Sequence, residues 1–291
     1  IRAAQQRNPE VFAVTSHNSR YRPVARTLKK LLASGTIGRV ISLEYRETLD
    51  QVHGKSYFRR WNSRRAMSNG LQLHKSSHHF DKMNYLLESH AVEVSASGAL
   101  IAYGAQAPHR FSGQNCHTCP HRQECPDAIE YDRDLFDSTM YTPDLCIWSP
   151  DIDIEDTFAA SIRFANGVFA SYSLCAHASY EGEVIHIQGE SGRIEARQLQ
   201  YLSQTDDLHN QKAVPDESIK IFRFGSAVPE EVPIERESGS HGGADKLLFA
   251  ELFACPAADS LPTLEDGIYA VLTGAAVVES IQQGRKIAVM D

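Results

Sequence analysis

Residues 157–164 (TFAASIRF) and 168–176 (VFASYSLCA) alternate apolar with small or polar side chains and are joined by Asn166 and Gly167. A period of two is that of a strand, and an Asn-Gly pair accepts the positive φ values of a type I′ turn, which commits this part of the chain to a β-hairpin. VIHIQG and GRIEAR, joined through Glu190 and Ser191, form a second hairpin. Further strands are expected in EVFAVTSHNSRY (10–21), VISLEYRETL (40–49), VEVSASGALIAYG (92–104) and IKIFRFG (219–225). Helical spacing marks 23–34, stopped by Gly35, and about 74–87, where Phe80, Met83 and Leu87 form the apolar stripe. Two more helices close the chain, the second ending at Gly284. The expected fold is α/β with an α+β-type domain: an open, largely antiparallel sheet with helices on one face.

An open sheet has a second face to cover. Phe158, Ala160, Ile162 and Phe164 share one side of the first hairpin strand, and Val168, Ala170, Tyr172 and Leu174 one side of its partner. Val168, Tyr172 and Leu174 are expected on that open face, where leaving them in water would be costly, so a homodimer or homotetramer joined through it is expected. The 291 residues carry a formal charge of −8, which disfavours a general nucleic-acid binder. The longest apolar run, 270–278, is about half of the ~20 residues that a membrane span needs. No charged-then-apolar leader opens the chain, and six sparse cysteines suit a reducing, cytoplasmic compartment.

The densest chemistry lies in GLQLHKSSHHFD (70–81), with His74, Lys75, His78, His79 and Asp81 at a helix start. Spacings of four and three place His74, His78 and Asp81 on one helical face. Imidazole moves protons near neutral pH, and a neighbouring lysine lowers the pKa of an alcohol or of the histidine itself. A solvated helix end and a zinc site made of His74, His78 and Asp81 are the other readings. HGKSYFRRWNSRR (53–65) mixes arginines, Arg60 among them, with Tyr57, Phe58 and Trp61, which suits a loop over a sugar ring, its carboxylate or its phosphate as well as it suits a solvated loop. Arg20 and Tyr21, at the end of the expected early strand, are candidate substrate or nicotinamide contacts, with structural pairing of Arg20 the alternative.

HNSRYRP, LASGTIGRVISLEYRE, HGKSYFRRW, GLQLHKSSHHFD, the Asn-Gly hairpin and EDGIYAVLTGAAVVESIQQGRKI resemble, in order and spacing, the C-terminal two-thirds of the Gfo/Idh/MocA oxidoreductases. The resemblance implies NAD(P)-dependent oxidation or reduction of a sugar, inositol or related polyol, with cofactor NAD or NADP. It makes His78 the general acid/base, with His74 and Lys75 beside it. Substrate contacts are then expected from Arg20, Tyr21, Tyr57, Arg60, Trp61, His79 and Asp81. His74 stands where the family usually has Asp. The family's G-x-G-x-x-G turn and Glu-Lys-Pro segment have no counterpart in the sequence. Residues 1–22 are therefore expected to be a remnant of a Rossmann-type cofactor domain, and 23–291 a substrate-binding and oligomerisation domain. On that reading the isolated chain is inactive, and a non-catalytic ligand-binding or oligomerisation module is the rival.

The segment 105–150 is far longer than the usual connection of about 4–6 residues and needs its own means of ordering. Cys116, Cys119 and Cys125, in C-x2-C-x5-C spacing, and Cys146 further along could bind structural zinc. Free buried thiols, a disulfide, ligation by His117 or His121, or an iron-sulfur cluster are the alternatives.

Overall fold

The computed structural model describes residues 1–106, 113–130, 143–202, 212–236, 238–254 and 261–290. In chain order the helices are α1 (Arg2–Arg7), α2 (Pro23–Ala33), α3 (Gln51–Phe58), α4 (Arg65–Ser68), α5 (Leu71–His74), α6 (Ser77–Leu87), α7 (Ala244–Ala254) and α8 (Leu264–Gln283). The strands are β1 (Val40–Asp50), β2 (Ala91–Ala99), β3 (Thr157–Phe164), β4 (Phe169–Ala178), β5 (Tyr180–Gly189), β6 (Gly192–Leu202), β7 (Lys212–Arg223), β8 (Glu230–Glu231) and β9 (Ile287–Ala288). They form one sheet in the order β8-β7-β6-β5-β1-β4-β3-β2-β9. Every neighbouring pair is antiparallel except β1 and β4. The expected largely antiparallel sheet with helices is the observed architecture.

Local chemistry explains the helix ends. Pro23 starts α2 at a position where its missing N–H is no loss. A capping box opens α8: Thr263 Oγ1 accepts from Asp266 N at 3.1 Å and Asp266 Oδ2 accepts from Thr263 N at 2.8 Å. Gly284, with φ of 62°, closes it in the left-handed conformation.

Four expectations need correction. Residues 10–21 form no strand: the backbone pairing found there is the bridge of Val14 with Thr263, and Asn18–Tyr21 is a 3-10 turn. Strand propensity alone does not make a strand without neighbours to pair with. The first hairpin is not closed by a type I′ turn, since Gly167 has a positive φ of 86° but Asn166 does not. Gly167 N donates to Phe164 O at 3.0 Å and Phe164 N to Val168 O at 2.9 Å, so the turn is centred one residue earlier and Gly167 forms the bulge after it.

The expected helix 74–87 is broken. Helix α5 ends at His74, Ser76 N reaches back to Leu71 O at 2.8 Å, and α6 starts afresh at Ser77. His74 and His78 therefore do not continue one helical face.

The sheet faces are also opposite to the assumption behind the self-association argument. Val168, Ala170, Tyr172 and Leu174 are buried with Phe158, Ala160, Ile162 and Phe164 in the same core as Leu28, Phe80, Met83 and Val277 of the helices. The open face instead carries Ala159, Ser161, Ser171, Ser173, Glu44, Arg46 and an exposed Phe169. Alternation separates two sets of side chains but does not say which set meets the helices.

Candidate active site

Asn69 and Gly70, with φ of 56° and 89°, turn the chain into α5 in conformations that ordinary side chains avoid. A Cβ on Gly70 would also lie 2.4 Å from Gln72 Oε1, the end of a side chain that would have to shift. The short α5 and the kink at Lys75–Ser76 place His74 and Lys75 outside the regular helix α6, whose first turn carries His78.

His78 packs edge-on against His17, with ring centroids 5.0 Å apart. Its Nδ1 is buried and has no hydrogen-bond partner among the described residues. Burial, followed by the charges of His17 and Lys75, pushes its pKa down to about 3, so the ring is neutral at physiological pH. His17 Nδ1 lies 3.1 Å from Asp81 Oδ1. Asp81 is fully buried and is held by Arg20, Nε to Oδ2 at 3.0 Å and Nη2 to Oδ1 at 2.5 Å. Arg20 and Asp81 thus satisfy one another, and their expected role as substrate contacts gives way to that of a brace behind His17 and α6. Tyr21 turns away as well, donating from its hydroxyl to Glu251 Oε2 of α7 at 2.7 Å.

His79 points into the core. Its Nδ1 lies 2.7 Å from the Tyr172 hydroxyl, which is 2.9 Å from Ser76 Oγ, and its Nε2 lies 3.5 Å from Glu47 Oε1. Beside it, Lys82 Nζ donates to Glu183 Oε2 at 2.5 Å and to Tyr45 Oη at 3.1 Å. Glu47 and Glu183 face each other across β1 and β5 inside the core. Burial and the Glu183 charge raise the Glu47 pKa to about 8, which leaves it largely protonated at neutral pH. His79 therefore belongs to a buried network rather than to a substrate surface, which corrects the expectation for it.

The other side of His74 is aromatic. Its ring stands edge-on to Tyr57 and to Trp61, each with centroids 5.5 Å apart. Tyr57 stacks on His53, whose Nδ1 lies 2.8 Å from Glu181 Oε2. The stretch 53–65, expected as a loop, is instead largely helical: Tyr57 lies in α3, Trp61 opens a 3-10 turn, both rings meet His74, and Arg60 between them is half-buried. Glycine-rich segments do not form a dinucleotide turn: Gly189 and Gly192 flank the β5–β6 hairpin, and Gly239, Gly242 and Gly243 lead into α7 from a 3-10 turn.

Sequence reasoning missed His17, Glu47 and Glu181. His17 stood within the quoted HNSRYRP, and Glu47 falls in the apolar alternation set of β1 with Leu43 and Tyr45, a register that signals a buried acid.

Metal expectations are not supported. Among the described residues, no three His, Cys, Asp or Glu side chains are grouped so as to hold a metal ion. His74, His78 and Asp81 fail because the helix is broken and Asp81 is committed to Arg20. Cys116, Cys119, Cys125 and Cys146 do line one small cavity with Trp148, but as free thiols. Burial raises the Cys116 and Cys125 pKa values and disfavours the thiolates that zinc needs. The described parts of the insertion are tied by other contacts: Cys116 N donates to Asp144 O at 2.7 Å, Cys146 N to Gln114 O at 3.1 Å, and Lys55 pairs with Asp127 at 2.7 Å. Parts of the insertion, 107–112 and 131–142, lie outside the described residues.

Comparison with known proteins identifies the family and the fold. The family model described as the oxidoreductase family, C-terminal alpha/beta domain, matches residues 29–289. The Bacillus subtilis (strain 168) protein YteT, which carries an oxidoreductase designation, is 33% identical over 94% of this chain and 68% of its own length. A levoglucosan dehydrogenase solved in complex with NADH superposes with a TM-score of 0.64 at 18% identity, over 100% of this chain and 70% of that one. Aldose-aldose oxidoreductase from Caulobacter crescentus, complexed with glycerol, gives 0.61 at 14% identity, over 98% and 66%. These two likenesses show the fold, and the chain spans about two thirds of such relatives. Matched across nearly its whole length by that family model, the chain belongs to the Gfo/Idh/MocA oxidoreductases, whose C-terminal alpha/beta domain it forms.

Proposed function

We propose that this chain supplies the substrate-binding and acid/base portion of an NAD(P)-dependent oxidoreductase acting on a sugar, inositol or related polyol. The observation that carries the reading is His78 Nδ1, a buried imidazole nitrogen without a hydrogen-bond partner among the described residues, at the place where the family resemblance puts the acid/base. A neutral imidazole can take the proton of a substrate hydroxyl and return it in the reverse direction; at a pKa of about 3 the ring is a weak base, so the transfer requires that bound substrate raise its basicity. Asp81 and Arg20 fix His17 and α6 behind it, while His74, Tyr57 and Trp61 offer ring faces and edges to a sugar. Lys75, on the kink, adds positive charge that favours an alkoxide over an alcohol.

A nicotinamide, when bound, takes or supplies the hydride. The chain's own glycines do not cradle a dinucleotide, so its pyrophosphate is not held by these residues and only the reacting end meets the His78 side. Levoglucosan dehydrogenase, with its NADH and levoglucosan complex, supports a nicotinamide and a sugar as the partners. The five described cysteines are all unpaired, which fits a cytoplasmic setting, and no described helix is long and apolar enough to cross a membrane.

Nicotinamide-coupled turnover by the protein against a panel of hexoses, inositols and sugar acids tests the reading. Turnover of at least one class is expected; no coupled turnover and no nicotinamide binding would contradict it.

We also propose self-association through the open sheet face, now with the residues the fold puts there. Small side chains at Ala159, Ser161, Ser171 and Ser173 leave that face flat, and Phe169 is 55% exposed on it. Phe169→Glu is expected to shift the protein toward monomers in sedimentation velocity. A wild-type protein that sediments as a monomer at micromolar concentration would reject the idea.

A further inference from the structure

Oxidation of an alcohol by a nicotinamide leaves a proton behind: the hydride goes to the nicotinamide and the hydroxyl proton to a base. That base has to pass the proton to water before the next turnover. His78 Nδ1 is buried, and the ring has no carboxylate within ion-pair distance among the described residues.

A second ring touches it. His17 stands edge-on to His78, with centroids 5.0 Å apart and planes at 63°. That spacing puts the ring edges within reach of direct transfer or of one bridging water. His17 Nδ1 lies 3.1 Å from Asp81 Oδ1, without the alignment of a hydrogen bond but close enough for the carboxylate to balance an imidazolium. The frame around His17 is fixed. Arg20 holds Asp81 through Nε and Nη2, and its Nη1 lies 3.6 Å from Asp266 in the capping box of α8. The next residue, Asn18, donates from Nδ2 to Asp245 Oδ1 of α7 at 2.6 Å.

His17 also has a way out. With Arg2, Thr15, Leu264, Gly267 and Ile268 it lines an open cleft of about 540 Å³ between α1 and the first half of α8, ample room for water. The His17 side chain is 13% exposed, so one ring joins the buried side of His78 to solvent. It is the only side chain lining that cleft which titrates near neutral pH.

We propose that His17 is the proton outlet of the site: it takes the proton that His78 acquires from the substrate hydroxyl and hands it to water in the cleft, while Asp81 balances the charge. The inference deepens the proposed function and rests on it for the source of the proton. In each turnover an N–H bond breaks on His78 as one forms on His17, which then loses its proton to water; reduction of a carbonyl runs the same steps backwards. Two imidazolium rings in edge contact repel, so the pair carries one proton at a time. The other charged groups facing the pair are Asp81, Arg20 and Asp266, and the charges of Lys75 and Arg22 act on His78.

Two measurements test the outlet. In nicotinamide-coupled assays, His17→Gln is expected to lower kcat by about tenfold or more with KM for the sugar little changed, and added imidazole is expected to restore the rate with rising concentration. A ring that served packing alone would give a loss that imidazole does not restore, and that result, or an unchanged kcat, would overturn the inference. Without any substrate, NMR titration of the ring nitrogens is expected to show the His78 midpoint rising by about half a unit or more in His17→Gln, as the competing charge is removed. That rise supports the coupled pair even where no sugar turns over, in which case the oxidoreductase reading alone fails. An unmoved His78 midpoint would show that the rings share no proton and would also overturn the outlet.

Discussion

His78 and His79 are adjacent in sequence and meet opposite fates. His79, with Lys82 one turn on, faces the sheet, where every polar neighbour is placed to answer it: Tyr172, Ser76, Glu47, Tyr45 and Glu183. His78, with Lys75 before it, faces away from that network, and its Nδ1 is left unanswered. One side of the segment is a polar core in which both His79 and Lys82 are bonded, although Glu183 Oε1 is unbonded there, and the other leaves the His78 ring nitrogen open. Burial lowers the pKa of both rings, so desolvation alone does not distinguish them; the unbonded Nδ1 distinguishes His78 from His79.

The closed side should break as structure. Lys82→Met strips the counterion from fully buried Glu183 and is expected to cost about 3–5 kcal/mol of folding free energy, read from denaturant midpoints. A change within the ~0.5 kcal/mol of an ordinary surface substitution would show that the pair is not buried as described. Tyr172→Phe removes the hydroxyl shared by His79 and Ser76 and should cost about 1–3 kcal/mol while leaving the ring packing in place. An unchanged melting temperature would remove that hydroxyl from the network.

Acid should sharpen the comparison. The folded His78 has its pKa lowered to about 3 from the 6.5 of a free imidazole side chain, so folding favours the neutral ring. The unfolded chain takes up the proton first, and this contribution to stability is complete above about pH 6.5 and lost progressively as pH falls toward 3. His78→Gln should therefore melt closer to, or above, the wild type at pH 5 than at pH 7. A difference in melting temperature independent of pH would mean that the ring is solvated and titrates normally.

Much of this was legible in the sequence, and the failures have physical reasons. The alternation of 157–164 and 168–176, the Asn-Gly pair and the capping residues around Thr263 and Gly284 are local signals, and the elements they specify are present. What alternation leaves open is the choice of face, and Tyr172 and Leu174 went to the helix side. Helical spacing put His74, His78 and Asp81 together, but the kink at Lys75–Ser76 is set by tertiary packing and no residue there forces it. Glu47 carried a readable sign, an acid in the buried register of β1; its partner Glu183 becomes visible only once β5 is laid beside β1. Four cysteines implied an ordering device, and backbone pairing of 114–116 with 144–146 supplies it.

The most direct test sets the two histidines against each other in the complete protein. Nicotinamide-coupled turnover of the preferred sugar is measured for His78→Gln and His79→Gln, each normalised to its folded fraction by circular dichroism. His78→Gln is expected to fold and to lose about 10²- to 10⁴-fold in turnover, as removal of an acid/base does, whereas His79→Gln should lose stability and keep most of its turnover once folded. Wild-type turnover in His78→Gln, or an equal loss in both, would contradict the assignment of the unpartnered side as the active site.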